Sequence, residues 1–224
     1  MIIADQPTIF PSNLQVVVSS VSDGSMKDGV DLMTPDAIRN REVFLHSVGM
    51  SPARAAVFYA DYQTDDFCHY EVATSGLMPG VDGVLTQQSG QPILLPIADC
   101  VATVLYDSVH QAVMISHLGR HSTEQFGGRK SVEYMTQTHG TNPKDLLVWL
   151  GPSPNGKDYP LRAFDGRSFT DVLAEQLKDS GVIAENIEIS LVDTSTNRNY
   201  FSHSQFLKGQ QVTDGRYAVA AMII

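Results

Sequence analysis

The sequence predicts an α+β fold: a single layered α/β/α domain over residues 1–224, with a mixed β-sheet and about three main helices. Many short apolar runs are rich in β-branched residues. They do not alternate regularly with the few segments whose apolar residues recur at helical spacing. With 42% hydrophobic and 18% charged residues, the chain can bury one sizeable core, and it contains no linker, repeat or low-complexity tract.

The first half of the chain combines strands, one helix and a polar loop. Residues 14–20 form a valine-rich run that predicts a strand, and the Gly/Ser/Asp/Lys segment 21–30 predicts an exposed loop that faces substrate. The Thr-Pro-Asp run that starts at Thr34 supplies an N-cap, a first-turn proline and an early acid, so a helix is predicted from there to Gly49. Further segments are predicted as strands, the last two paired as a hairpin: 55–60, 69–74, 81–86 and 92–97.

Two long β-branched runs at the centre of the chain predict an antiparallel hairpin that turns at Asp107. Cys100 stands at the start of the first run and His117 at the end of the second, so this pairing brings the thiol and the imidazole side by side. A cysteine and a histidine on adjacent strands form half of a metal site, and Gly119 lets the chain turn sharply into the next helix. From the residues alone, a buried apolar cysteine and a hydrogen-bonded core histidine remain the alternative.

The second half of the chain predicts two helices and several strands. One helix is predicted from Ser122, a good N-cap, to about Thr138, with Gly140 as its stop. Another covers the apolar positions 169–177 and ends at Gly181. The predicted strands are 146–150, 187–192 and the almost wholly apolar run 217–224, which predicts a strand buried on both faces.

Charge and cysteine content argue against several classes of function. The formal net charge of -10 is unfavourable for binding nucleic acid or an anionic membrane, because phosphate binding depends on clustered Lys and Arg. No run approaches the roughly 20 apolar residues of a membrane span, and residues 1–11 lack the basic start of a signal peptide. The two cysteines, Cys68 and Cys100, are expected to be free thiols of a cytoplasmic protein. The sequence does not indicate the oligomeric state.

A series of short motifs gives the chain a resemblance to a known family along nearly its whole length. In order, they are Asn40-Arg41, Val81-Asp82-Gly83, Ala98-Asp99-Cys100, Tyr106-Asp107, His117 with Gly119, Leu150-Gly151-Pro152, Phe201-Ser202 and Asp214-Gly215-Arg216. On these motifs the chain resembles the laccase-domain family, once called multicopper polyphenol oxidase-like. That family is now associated with zinc-dependent purine nucleoside phosphorylase and adenosine deaminase activity.

The resemblance implies a zinc ion held by one cysteine and two histidines. Cys100 and His117 match the family's cysteine and one of its histidines. The segment that carries the other histidine falls on residues 60–63, with Tyr62 at the ligand position. Zinc is therefore expected on Cys100 and His117, with Tyr62, His121 or water as the third ligand, and copper is the less favoured metal.

The resemblance also implies an enzyme that acts on adenosine or inosine with phosphate as co-substrate, and with adenosine deamination as a further activity. Its catalytic residues would be Asp99, Cys100 and His117. Its substrate contacts would include Arg120 and His203.

Departures from the family pattern leave other functions open. The family's Trp-Arg-Gly is replaced by Arg-His-Ser from Arg120 onwards, and segment 19–25 lacks the arginine expected after the first strand. Ser204 and Gln205 replace the arginines that follow Phe-Ser. These changes favour the alternative of a catalytically silent relative that binds a nucleoside or a protein partner. Copper-dependent phenol oxidation is a weaker alternative, because the several histidine pairs of multicopper oxidases are absent.

Overall fold

The chain forms strands and helices in the irregular order that the sequence predicts. The computed structural model describes residues 1–28 and 33–224, so the loop predicted at 21–30 lies partly outside the described residues. The strands are β1 (Leu14–Val18), β2 (Ala56–Tyr59), β3 (Tyr70–Val72), β4 (Gly76–Pro79), β5 (Gly83–Thr86), β6 (Ile93–Ile97), β7 (Val101–Asp107), β8 (Ala112–Leu118), β9 (Leu146–Leu150), β10 (Ile187–Ile189) and β11 (Tyr217–Ile223). The helices are α1 (Pro35–Ser47), α2 (Arg120–Glu124), α3 (Gly127–His139), α4 (Phe169–Asp179) and α5 (His203–Leu207).

The strands form two mixed sheets that pack against each other. The first sheet has the order β1-β11-β6-β2-β4, and the second sheet has the order β10-β9-β7-β8-β5-β3. Apolar side chains from both sheets fill the space between them. Helix α1 covers the outer face of the first sheet, and α3 and α4 cover the outer face of the second. The predicted α+β class with three main helices is confirmed, and the strands between the helical layers divide into two stacked sheets.

The central strands are apolar throughout because both of their faces are buried. In β7, Ala102 and Val104 point into the core between the sheets, whereas Val101 and Leu105 pack against α3 and α4. This alternation is the two-residue period of a strand, but neither set of side chains meets water. The predicted central hairpin is confirmed, since β7 and β8 pair antiparallel over their whole length.

The hairpin predicted from segments 81–86 and 92–97 is wrong. β5 pairs with β8 in the second sheet, whereas β6 lies between β11 and β2 in the first sheet. The connection crosses from one sheet to the other, and within it Thr86 Oγ1 donates a hydrogen bond to Gln91 Oε1 at 2.7 Å. Both strands are completely buried, and a short apolar run carries no sign of the sheet that it joins.

The single helix predicted from Ser122 to about Thr138 is also wrong, because the structure has two helices there. Helix α2 begins earlier, after Gly119, and the Ser122 hydroxyl accepts a hydrogen bond from the Gly119 backbone N–H at 2.8 Å. The chain then breaks at Phe126, whose φ is +61°, and α3 starts at Gly127. A Cβ atom at Gly127 would lie 2.8 Å from the Ser122 carbonyl oxygen, so the glycine allows the close approach of the two helices. Among the described residues, none of the helices has the length and apolar character needed to cross a membrane.

Candidate functional site

A cavity of about 580 Å³ opens where the central hairpin meets α2, α5 and the neighbouring loops. All of the side chains proposed from the sequence for the site line this cavity: Tyr62, Asp99, Cys100, His117, Arg120, His121 and His203. The fold therefore brings together residues that are far apart in the chain.

Cys100 and His117 lie next to each other because of the hairpin register. Cys100 directly precedes β7, and His117 lies on β8 opposite Ala102. A Cβ atom at Gly119 would lie 2.8 Å from Cys100 Sγ and 3.6 Å from His117 Cε1. Glycine at this position leaves room for the thiol and the imidazole to approach the same point of the backbone.

The His117 imidazole is buried between a carboxylate and a phenol. Its Nδ1 lies 4.0 Å from Asp82 Oδ1, and its Nε2 lies 3.4 Å from the Tyr62 hydroxyl. Asp82 is 2% exposed, and among residues 1–28 and 33–224 its Oδ1 finds no hydrogen-bond partner. Burial lowers the pKa of His117, but interactions with Cys100 and Asp82 outweigh burial and raise this pKa to about 9. The imidazole of the metal-free chain is therefore protonated at neutral pH.

Tyr62 stands at the mouth of the cavity and directs its hydroxyl inward. The residue is 62% exposed, yet the hydroxyl reaches the buried His117. Interaction with Cys100 and burial raise the pKa of Tyr62 well above the ordinary value for tyrosine. Because a phenol binds zinc well only after it loses its proton, Tyr62 is a poor metal ligand.

The residues of the cavity do not fit the zinc site that the resemblance implies. Within the described part of the chain, no three His, Cys, Asp or Glu side chains are grouped so that they could hold a metal ion. His121 lines the cavity, and its ring stacks on Phe67 with 4.6 Å between the centroids. It does not complete a group of three with Cys100 and His117. Among the described residues, the zinc site that the resemblance implies therefore lacks its third ligand.

The placement of Tyr62 is nevertheless compatible with that of a ligand. Two donors about 2.0–2.1 Å from a tetrahedral ion are about 3.3 Å apart. The Tyr62 hydroxyl and His117 Nε2 are 3.4 Å apart. One pair of donors, Tyr62 and His117, thus has the spacing of two zinc ligands, but the phenol is chemically unsuitable as a donor.

Asp99 connects the hairpin to α5. Its backbone is left-handed, with a φ of +67°, and its side chain is buried. The carboxylate accepts hydrogen bonds from Ser202 Oγ at 2.6 Å and from the Ser204 backbone N–H at 2.7 Å. These charge-assisted bonds hold the first turn of α5, including His203, at the cavity wall. The contacts give Asp99 a positioning role, and its catalytic role stays a prediction.

Part of the cavity wall is a hydrogen-bonded network that joins His203 to Asp214 and Arg216, two residues that the sequence did not assign to the site. Asp214 Oδ1 accepts hydrogen bonds from Arg216 Nη1 at 2.7 Å and from His203 Nδ1 at 2.8 Å. Burial raises the pKa of Asp214, but the hydrogen bonds from Arg216 and His203 outweigh burial, so this pKa lies below its usual range. The Asp-Gly-Arg motif near the end of the chain is the sequence signal that points to this network.

Lys27, Tyr59 and Tyr159 also line the cavity without having been singled out in the sequence. Lys27 Nζ lies 4.9 Å from the centroid of the Tyr59 ring, and the Arg120 guanidinium carbon lies 5.1 Å from the centroid of the Tyr159 ring. The loop expected to face substrate, 21–30, is the signal that points to Lys27. The two tyrosines carry no such signal, because single aromatic residues are common in strands and loops.

The family of the chain is identified from the region around the central hairpin. The family model described as multi-copper polyphenol oxidoreductase laccase matches residues 34–169. This chain belongs to that family. The matched region contains Tyr62, Cys100 and His117, whereas His203 and Arg216 lie beyond it.

Relatives with assigned names are similar over part of their length. Purine nucleoside phosphorylase YlmD of Bacillus subtilis is 29% identical over 150 residues, which cover 56% of this chain and 54% of that protein. Purine nucleoside phosphorylase LACC1 of Homo sapiens is 27% identical over 150 residues, which cover 54% of this chain and 34% of that protein. The matches therefore span about half or less of the length of these relatives.

Solved structures are similar over nearly the whole chain. The hypothetical protein YfiH of Bacillus licheniformis has a TM-score of 0.80 at 19% identity, covering 94% of this chain and 93% of that chain. YlmD of Geobacillus stearothermophilus also has a TM-score of 0.80 at 19% identity, covering 95% of this chain and 92% of that chain. At this level of identity the similarity shows a shared fold.

Proposed function

We propose that the cavity binds a purine nucleoside together with phosphate, and that the chain is a purine nucleoside phosphorylase that acts on adenosine or inosine. The observation that carries the proposal is that aromatic and cationic side chains share one cavity of about 580 Å³: Tyr59, Tyr62, Tyr159, Lys27, Arg120 and Arg216. Aromatic faces stack on bases, and Lys and Arg bind phosphate. Small-molecule sites commonly measure about 300–1,000 Å³. The relatives named purine nucleoside phosphorylase support the same class.

The chain's own side chains supply the groups that phosphorolysis requires. The cations hold phosphate so that one of its oxygens attacks the anomeric carbon of the sugar while the glycosidic C–N bond breaks. The electron pair of that bond leaves with the purine, which takes up a proton at a ring nitrogen. We assign the donation of this proton to His117, because its imidazole is protonated at neutral pH and lies in the cavity wall.

No step in this proposal passes through zinc, because Tyr62 is unsuited to complete the ligand set with Cys100 and His117. Adenosine deamination, which the resemblance implies, would show as inosine formed from adenosine without phosphate. A cytoplasmic location is part of the proposal, and both cysteines, Cys68 and Cys100, are free thiols.

A catalytically silent relative that binds a nucleoside is the second candidate. Tyr62 favours this second candidate, because its phenol stands where the resemblance implies a histidine ligand. In that case the stacking and cationic surfaces would be retained, and turnover would be lost.

An activity assay with adenosine or inosine as substrate tests the proposal. The chain is incubated with and without phosphate, and with and without added zinc, and the products are separated by chromatography. We expect free base to appear only when phosphate is present, and to be lost in His117→Gln because the proton donor is removed. His46→Gln, which changes an exposed histidine of α1, is the matched control and should keep the activity. Absence of turnover in the native chain under all conditions would contradict the phosphorylase and support the silent relative.

A further inference from the structure

Lys27 places a positive charge in the cavity wall. The side chain is half-buried, and its Nζ lies over the Tyr59 ring. Among the described residues, no carboxylate lies within ion-pair distance of Lys27. Burial lowers the pKa of Lys27, the nearby Arg216 lowers it further, and Asp214 partly opposes both. The described groups around Lys27 therefore balance the positive charge of its ammonium group only in part.

Arg216 is the second cation of this wall, and the described residues use only part of its hydrogen-bonding capacity. Its Nη1 donates to Asp214 Oδ1 at 2.7 Å and to the Gly215 carbonyl at 2.8 Å. Nη2 and Nε of this side chain make no hydrogen bond to the described residues. Asp214 Oδ1 also accepts a hydrogen bond from His203 Nδ1, so this one carboxylate serves two side chains, whereas no described carboxylate pairs with Lys27. Lys27 and Arg216 thus carry two positive charges beside the one negative charge of Asp214, although the whole chain has a formal net charge of -10.

We propose that Lys27 and Arg216 form a phosphate-binding subsite within the cavity. The proposal rests on the proposed function only in taking this phosphate to be the co-substrate. Lys27 supplies a point charge, and Nη2 and Nε of Arg216 supply a planar pair of donors, which together suit the oxygens of a phosphate group. Partial burial strengthens the attraction over that of exposed lysines, because the effective dielectric constant is lower. Tyr59 keeps the lysine in place by contact with its ammonium group.

Calorimetric titration with inorganic phosphate, in the absence of nucleoside, tests the subsite. We expect Lys27→Met to weaken phosphate binding by about tenfold, since a charged hydrogen-bonding partner is lost. Lys178→Met, which changes an exposed lysine of α4 away from the cavity, is the matched control and should bind phosphate like the native chain. Equal phosphate binding by Lys27→Met and the native chain, or no binding by the native chain, would overturn the proposal.

Asp214→Asn tests the same subsite without changing Lys27. Removal of this carboxylate leaves Arg216 uncompensated, so phosphate binding should become tighter, by about threefold or more. Unchanged or weaker phosphate binding in Asp214→Asn would count against the subsite even if Lys27→Met failed to fold.

Titration with adenosine monophosphate in parallel identifies the source of the phosphate group. If Lys27→Met weakens binding of the monophosphate and of inorganic phosphate alike, the subsite recognises the group in either form. If only the binding of inorganic phosphate is weakened, the subsite serves free phosphate. Both results support the subsite, and neither depends on turnover, so failure of the phosphorylase assay and failure of this proposal are distinguishable.

Discussion

Tyr62→His should raise the zinc affinity of the chain by about tenfold or more. Deprotonating an ordinary tyrosine, with a pKa near 10, costs about 4 kcal/mol at pH 7, whereas a neutral imidazole binds zinc as it is. Here interaction with Cys100 and burial raise the pKa of Tyr62 further. The position is exposed at the cavity mouth, so the shorter histidine can approach the imidazole of His117 by a shift of the loop.

Competition with a zinc indicator measures this gain. Tyr62→Phe is the matched control, because it removes the hydroxyl without adding a ligand, and it should bind zinc no better than the native chain. Adding Cys100→Ala to Tyr62→His should remove most of the gain, since the thiolate ligand is lost. Equal or weaker zinc binding by Tyr62→His would mean that residue 62 does not face the same ion as Cys100 and His117.

Asp82→Asn should lower the pKa of His117 and reduce the pH dependence of the free energy of unfolding. The folded-state pKa of His117 is raised from 6.5 to about 9. A raised pKa means that the folded state binds the proton more tightly. The stabilisation is therefore complete below about pH 6.5 and is lost as the pH rises through about 9. A shift of this size corresponds to about 3 kcal/mol, of which the Asp82 carboxylate supplies part.

Two measurements check this expectation. Proton NMR titration of the metal-free chain gives the pKa of the His117 ring, and denaturant unfolding at about pH 6 and about pH 10 gives the pH dependence of the free energy of unfolding. The side-chain amide introduced by Asp82→Asn can still accept the hydrogen bond that the His69 backbone N–H donates to Asp82 Oδ2, so the fold should persist. Asp179→Asn, at the exposed end of α4, controls for loss of one carboxylate. A native imidazole that titrates near 6.5, or an unchanged pKa in Asp82→Asn, would show that the carboxylate does not act on His117.

The sequence predicts the elements of the fold better than their partners. The Thr34 cap with Pro35 defines the start of α1, and Gly140 ends α3 in a left-handed conformation, because these signals are local. The separation of β5 and β6 into different sheets depends on which buried faces meet in space, and both strands look alike in composition. The break at Phe126 depends on the close approach of α2 and α3, which Gly127 permits; the glycine pair at 127–128 weakens the predicted helix but does not by itself show that the chain breaks there.

In the candidate site, too, local sequence signals predict some positions, and long-range packing determines the others. Cys100 and His117 can be placed side by side from the hairpin alone, because antiparallel pairing fixes which ends meet. Tyr62 and His203 reach the cavity through long-range packing, and the resemblance, not the residue pattern, points to them. Lys27 enters the site from the loop predicted to face substrate, but the sequence does not show which side chain of that loop reaches the cavity.

Isothermal titration calorimetry with inosine tests the central claim that the cavity is a nucleoside site. The purified native chain is titrated in phosphate-free buffer, so that phosphorolysis cannot occur. We expect saturable binding at one site per chain, with adenosine as a competitor, because the tyrosine rings of the cavity wall can stack on either purine. A titration that shows no binding at millimolar inosine would contradict both the phosphorylase and the silent nucleoside-binding relative.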